Sequence, residues 1–198
     1  MMEFIQTGQK KRDYWTDFAQ KLAALHKNSA QQFGLDHNNY IGSLPQSNTK
    51  HDTWVEFMIT QRFEPLVKQA LERGLLERDL TMMFDTLYSK LENLIPYEKP
   101  ALLHGDLWHG NVLTDKNGEV CLVDPSVHYG HREVDLAFST LFGAFPAEFY
   151  QAYDEVFPLE NGWRERIDLF NIYPLLVHLL LLGKSYYPEV KSSVKRYL

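Results

Sequence analysis

Cysteine is almost missing from this sequence: Cys121 is the one thiol in 198 residues. That excludes a disulfide framework and a multi-cysteine zinc site. A lone thiol suits a reducing compartment, so a cytoplasmic location is expected. Long hydrophobic runs are missing too. Residues 1–12 lack the apolar stretch of a signal peptide. Residues 172–182 form the longest apolar run, but Pro174 and His178 interrupt it and it is too short to span a bilayer. It reads as a buried helix, with no membrane partner expected. Positive charge is in deficit: 20 Lys and Arg face 26 Asp and Glu, a net charge of −6 with neutral histidines. That balance argues against general binding to a phosphate backbone, and no nucleic-acid partner is expected. No serine stands in a nucleophile-elbow pattern, so Ser-His-Asp hydrolysis has no support. The pair in His128-Tyr-Gly-His131 has no cysteine or carboxylate at zinc spacing and reads as structural or solvated.

Apolar material is abundant, at 44% hydrophobic and 14% aromatic residues, enough for a core. The length suits a single domain over residues 1–198. Tyr14, Trp15, Phe18, Leu22 and Leu25 line one helical face over residues 10–27. Residues 28–50 dissolve into Gln, Asn, Ser, Gly and Pro and read as a long loop, a feature that is often functional. Thr53 and Glu56 form a capping box that opens a helix running to Gly74, with a kink expected at Pro65. A third helix is expected over residues 77–94. The texture then changes. Residues 112–114 and 120–123 are β-formers around Asn117-Gly118, the strongest short hairpin signal. Cys121 lies in the second of these runs and reads as a buried, inert thiol. Helices return at residues 134–143, 147–156 and 163–182, with a weaker tail from 188. The fold class is therefore mainly α with a small β-hairpin insert (α+β).

The polar residues of interest lie between His104 and Asp124. Asp106 and Asn111 are five apart in a loop of Gly-rich composition, and Asp124 follows the second hairpin strand. Three oxygen-bearing side chains thus gather at one end of a hairpin. An Asn and an Asp suit Mg²⁺, which takes few protein oxygens beside water and phosphate oxygens. A third carboxylate can orient and deprotonate a hydroxyl. This is the part list of kinase-type phosphoryl transfer: base Asp106, then Asn111 and Asp124 for metal. The competing reading is an Asx-rich turn in which Asp106 and Asn111 cap backbone groups.

The segments His104-Gly-Asp-Leu-Trp-His-Gly-Asn111, Val123-Asp-Pro125 and Tyr129-Gly-His-Arg-Glu-Val-Asp-Leu-Ala137 resemble the fructosamine kinase/ketosamine-3-kinase family. That family stands within the protein-kinase-like superfamily beside aminoglycoside and choline kinases. The stretches 33–48 and 141–145 carry the same likeness. The resemblance implies Asp106 as catalytic base and Asn111 and Asp124 as Mg²⁺ ligands across the phosphates of ATP. It implies His104 as a brace of the loop and Asp135 as a support of the loop from the following helix. Trp108, beside the base, either covers a sugar ring or simply packs.

The resemblance further implies ATP-dependent phosphorylation of ketosamines, including fructosamine and ribulosamine adducts on protein lysines, as a step in deglycation repair. The rivals are a hydroxyl kinase of the aminoglycoside or choline type and a non-catalytic nucleotide- or partner-binding fragment. Such kinases place a Gly-rich loop, a strand Lys and a partner Glu in an N-terminal β lobe. No such pattern precedes residue 104, and Gly8, Gly34, Gly42 and Gly74 stand singly. The chain thus reads as the C-terminal lobe of a protein-kinase-like fold with the N-terminal lobe absent. Alone it is expected to turn over ketosamines poorly, and an uncovered cleft face is expected to favour self-association.

Overall fold

A computed structural model of the protein describes residues 4–198. The amphipathic stretch near the start forms α1 (Tyr14–His26), which buries Phe18 and Leu22. The region 28–50, expected as plain loop, contains a hairpin of β1 (Asn39–Ile41) and β2 (Leu44–Gln46). Its loop-like composition serves tertiary contacts instead. Asn39 Nδ2 donates to Val127 O at 2.8 Å, and Gln46 Nε2 donates to Asn39 Oδ1 at 2.8 Å. Asn48, fully buried, donates to His37 O and Asn39 Oδ1. Sequence alone gives no hint that these amides are interior.

Thr53 caps the next helix as expected, its side chain accepting from Glu56 N. The helix runs as α2 (Trp54–Phe57), a π-helical turn (Met58–Phe63) and α3 (Glu64–Glu72). The distortion expected at Pro65 is thus taken up in the turn before it. Glu64 N reaches Ile59 O, one residue further back than an α-helix would. Pro65 has no N–H for an α-helical bond and its ring crowds the preceding turn. Widening that turn accommodates it and directs Arg62 inward. Arg62 is 2% exposed; it donates to Ser47 O at 2.5 Å and Asn48 Oδ1 at 2.8 Å, and lies over the Phe57 ring. Burial lowers its pKa to about 10, which leaves it charged at neutral pH.

Beyond Gly74 the expected third helix divides into α4 (Arg78–Tyr88) and α5 (Leu91–Leu94). Then come β3 (Ala101–Leu103), β4 (Val112–Thr114), β5 (Val120–Leu122) and β6 (His128–Gly130). The β4–β5 hairpin forms in the expected place, with Leu113 opposite Cys121. Cys121 is half-buried rather than interior. β3 and β6 pair antiparallel, Leu102 opposite Tyr129, and so close the base of everything between them. The helices α6 (Glu133–Leu141), α7 (Ala147–Val156), α8 (Ile167–Leu182) and α9 (Tyr187–Lys195) complete the chain. α8 is apolar all round and accordingly interior, packed on α3, α6 and α9. Among the described residues no helix is long and apolar enough to cross a membrane.

Two apolar clusters result. The larger gathers α2–α5, α8 and α9; the smaller joins α1 to α7 around Phe18, Phe149 and Tyr153.

His128 on β6 carries a pH dependence. It is 1% exposed, its Nδ1–H donates to Ser126 O at 3.0 Å, and its Nε2 has no partner. Burial, then the charge of Arg62, lowers its pKa to about 3. An unfolded histidine titrates near 6.5. Between those values the unfolded chain binds a proton that the folded chain refuses, so acid favours unfolding. Urea unfolding should lose stability from pH 6.5 towards 4, at up to about 1.4 kcal/mol per pH unit from this group. His128→Phe should flatten the slope; an unchanged slope would refute the assignment.

Candidate active site

The segment after β3 is anchored at both ends by leucines that enter different cores. Leu103 lies in the larger cluster and Leu107 in the smaller, 1% and 0% exposed. Between them Gly105 adopts φ +82°, where a Cβ would stand 2.1 Å from Ser126 O. Backbone fills that space, so no side chain fits. Gly105→Ala should therefore cost about 3 kcal/mol or more, combining strain with a displaced strand end. Thermal unfolding of the variant measures it; a melting temperature within a degree or two of wild type would show the turn to be pliable.

Asp135 on α6 holds the same turn from below. Its carboxylate accepts from His104 N and from Gly105 N, each at 2.8 Å, and lies 3.1 Å from His26 Nε2. The other His26 nitrogen is 2.7 Å from Tyr153 Oη. An ionised carboxylate only accepts, so His26 donates Nε2–H to Asp135 and accepts a hydrogen bond from the Tyr153 hydroxyl at Nδ1. Burial alone would raise the Asp135 carboxyl. The hydrogen bonds from His26 and from the Gly105 N–H outweigh it and hold the group below the usual carboxylate range. Its place in the first turn of α6 adds the favourable end of the helix dipole.

His104 braces the loop. Its Nε2 donates to Val123 O at 3.0 Å, and its Nδ1 accepts from Asp106 N at 3.3 Å. One neutral ring thus ties the loop to the end of β5.

Asp106 is half-buried. Asn111 Nδ2 donates to Asp106 O at 2.8 Å and to its Oδ2 at 2.9 Å. Both are acceptors, so the Asn111 amide orientation is determined and its Oδ1 is left without a hydrogen bond. Burial pushes the Asp106 carboxyl up, against the lowering effect of the Asn111 hydrogen bond. Val123 N donates to Asn111 O at 3.1 Å, which fastens Asn111 to the residue preceding Asp124. Asp124 is exposed and has φ +50°, the one non-glycine residue with positive φ among the described residues. Strain of that kind concentrates at functional sites. An amide oxygen and a carboxylate, both hard oxygen donors, fit Mg²⁺.

Trp108 is half-buried, its ring 5.7 Å from Phe142 in an edge contact and also against the larger core. Gly110 permits this, since a Cβ there would lie 2.4 Å from the indole. Sequence reasoning reached Asp106, Asn111 and Asp124 but not His26, whose partner Asp135 is 109 residues away. No local pattern signals such a pair.

A family profile described as fructosamine kinase matches residues 1–198. An Enterococcus faecium protein named as a ketoamine kinase is 38% identical over 199 residues, covering 100% of this chain and 71% of that protein. A chloroplastic protein-ribulosamine 3-kinase of Arabidopsis thaliana is 36% identical over 205 residues, covering 100% of this chain and 61% of that protein. A crystal structure of a Thermobifida fusca protein described as a fructosamine-3-kinase superposes with a TM-score of 0.92 at 38% identity, over 99% of this chain and 68% of that one. The chain thus spans roughly two thirds of the length of the relatives it matches. With the profile running from the first residue to the last, the chain belongs to the fructosamine kinase family.

Proposed function

We propose that this chain carries the base and the metal ligands of a kinase that moves the γ-phosphoryl group of ATP to a sugar hydroxyl of a ketosamine, free or on a protein lysine. The observation that carries the reading is the Asn111 clamp on Asp106. One carboxylate oxygen is held at 2.9 Å and the other is left for a substrate hydroxyl. A partly buried, upward-shifted carboxylate is better matched to accepting a proton than a solvated one. As the hydroxyl oxygen forms its bond to phosphorus, its proton passes to Asp106, and the bond to the β-phosphate oxygen breaks with release of ADP. Asn111 Oδ1 and the Asp124 carboxylate would hold Mg²⁺, which when bound neutralises charge on the phosphates. Phosphorylation of the sugar destabilises the adduct, which would make the activity a repair of glycated lysines.

Calorimetric titration with ATP and Mg²⁺ tests the metal assignment. Asp124→Ala should weaken Mg²⁺-dependent nucleotide binding at least about tenfold, equivalent to about 1.4 kcal/mol. Binding unaffected by the substitution would remove Asp124 from the metal site. An ADP-release assay comparing fructosamine and ribulosamine substrates with amino sugars and choline tests the acceptor class.

A further inference from the structure

The hairpin of β1 and β2 takes no part in the chemistry above, yet its inward amides lead to the segment that follows Asp124. Gln46 on β2 is 2% exposed. Its Nε2 donates to Asn39 Oδ1 at 2.8 Å and to Ser126 O at 3.3 Å. Its Oε1 accepts from Tyr173 Oη on α8 at 2.6 Å. Both donors and the acceptor are engaged, so the amide has one orientation. Asn39 in turn donates Nδ2 to Val127 O at 2.8 Å, and Ser126 Oγ donates to Tyr40 O. The hairpin thus grips the chain at Ser126 O, Ser126 Oγ and Val127 O. From the other side Ser126 N donates to His104 O at 2.8 Å, and His128 Nδ1 donates to Ser126 O at 3.0 Å.

Asp124 stands two residues before this grip, exposed, with φ +50°. Its preceding neighbour is held as well: Val123 N donates to Asn111 O, and Val123 O accepts from His104 Nε2. A residue other than glycine keeps a left-handed backbone only where its surroundings over-determine it. The catalytic loop supplies the hold ahead of Asp124. The β1–β2 hairpin, braced by Tyr173 and joined by His104 and His128, supplies the hold behind it.

We propose that Gln46 is a positioning residue for the metal site: by holding Ser126 directly, and Val127 through Asn39, it keeps Asp124 in the left-handed conformation from which its carboxylate takes Mg²⁺. This rests on the assignment of Asp124 to Mg²⁺ given above and adds a buried residue, remote in sequence, that acts through it. Groups that hold and orient a metal ligand tune affinity without touching the ion.

Calorimetry of ATP binding with and without Mg²⁺ tests the proposal on the wild type, Gln46→Met, Asp124→Ala and the double variant, with circular dichroism to show that each is folded. Methionine fills the space of glutamine and removes its hydrogen bonds. Gln46→Met should weaken Mg²⁺-dependent ATP binding about fivefold and leave Mg²⁺-free binding within about twofold. In the Asp124→Ala background the same change should cost less than about twofold, since the group it positions is gone. Equal losses in both backgrounds, or no loss in either, would overturn the proposal while leaving Asp124 at the metal. Asn39→Ala, at a half-buried position, removes the bond to Val127 and replaces Gln46→Met if that variant does not fold. It should lose about threefold, again only with Asp124 present, and the absence of a loss would overturn the proposal equally. Wild-type binding indifferent to Mg²⁺, or unaffected by Asp124→Ala, would overturn the metal reading and this inference with it.

Discussion

Asp106→Asn should lower kcat for ketosamine phosphorylation by about 10²–10⁴-fold, the range over which a positioned general base contributes. The substitution is nearly isosteric, so the loop geometry should survive. An asparagine oxygen can still accept from Asn111 Nδ2, which now bonds both Oδ2 and the backbone oxygen of Asp106. The ability to take a proton is what is lost. The KM for ATP should stay within about twofold, because an effect confined to the transition state leaves ground-state binding alone. Burial raises the Asp106 carboxyl, so the acid limb of kcat/KM should lie above about pH 4, the ordinary range of an aspartate. Activity of Asp106→Asn within a factor of ten of wild type would mean that the base is elsewhere or that none is needed.

Asp135→Ala should be the most destabilising single substitution near the site, at about 3–5 kcal/mol. It strands the N–H groups of His104 and Gly105 and the Nε2–H of His26, all of them interior. For a chain of this size that corresponds to a fall in melting temperature of about 6–20 °C. Asp135→Asn should recover only part of it, since an amide NH₂ must then face one of the same donors. The pH dependence has a definite sign. The folded carboxyl lies below its unfolded value, so its stabilisation is complete above about pH 4 and disappears as pH falls through the folded value. Chemical unfolding of wild type and Asp135→Ala at pH 7 measures the first effect, and extending the series below pH 4, where the wild type alone loses this contribution, measures the second. A loss under about 1 kcal/mol for the alanine variant would show that the turn is held by Leu103 and Leu107 packing rather than by the carboxylate.

The β4–β5 hairpin was readable because Asn117-Gly118 specifies a tight turn locally. α1 and α8 were readable from apolar periodicity and run length. Residues 28–50 were not, because Gln46, Asn48 and Asn39 have loop composition while their amides pair inside the protein. The π turn before Pro65 was readable as a kink but not in its consequence, the inward Arg62 that bonds Ser47 and Asn48. β3 and β6 were missed as a pair because each is three residues long and the chain between them forms its own hairpin.

By itself the sequence determined which polar groups the loop carries: an aspartate, an asparagine and a strand-end carboxylate within one contiguous stretch, where short spacing and turn residues fix relative position. It also determined the helical, apolar character of what surrounds that stretch. Only the tertiary structure decided how the parts are held and what faces them. The Asp135 clamp joins residues 31 apart to His104 and 109 apart to His26. Phe142, just past the end of α6, meets the Trp108 ring that follows Asp106. The reason is physical: local spacing governs backbone turns, whereas burial, protonation and the pairing of interior polar groups depend on which distant elements pack together.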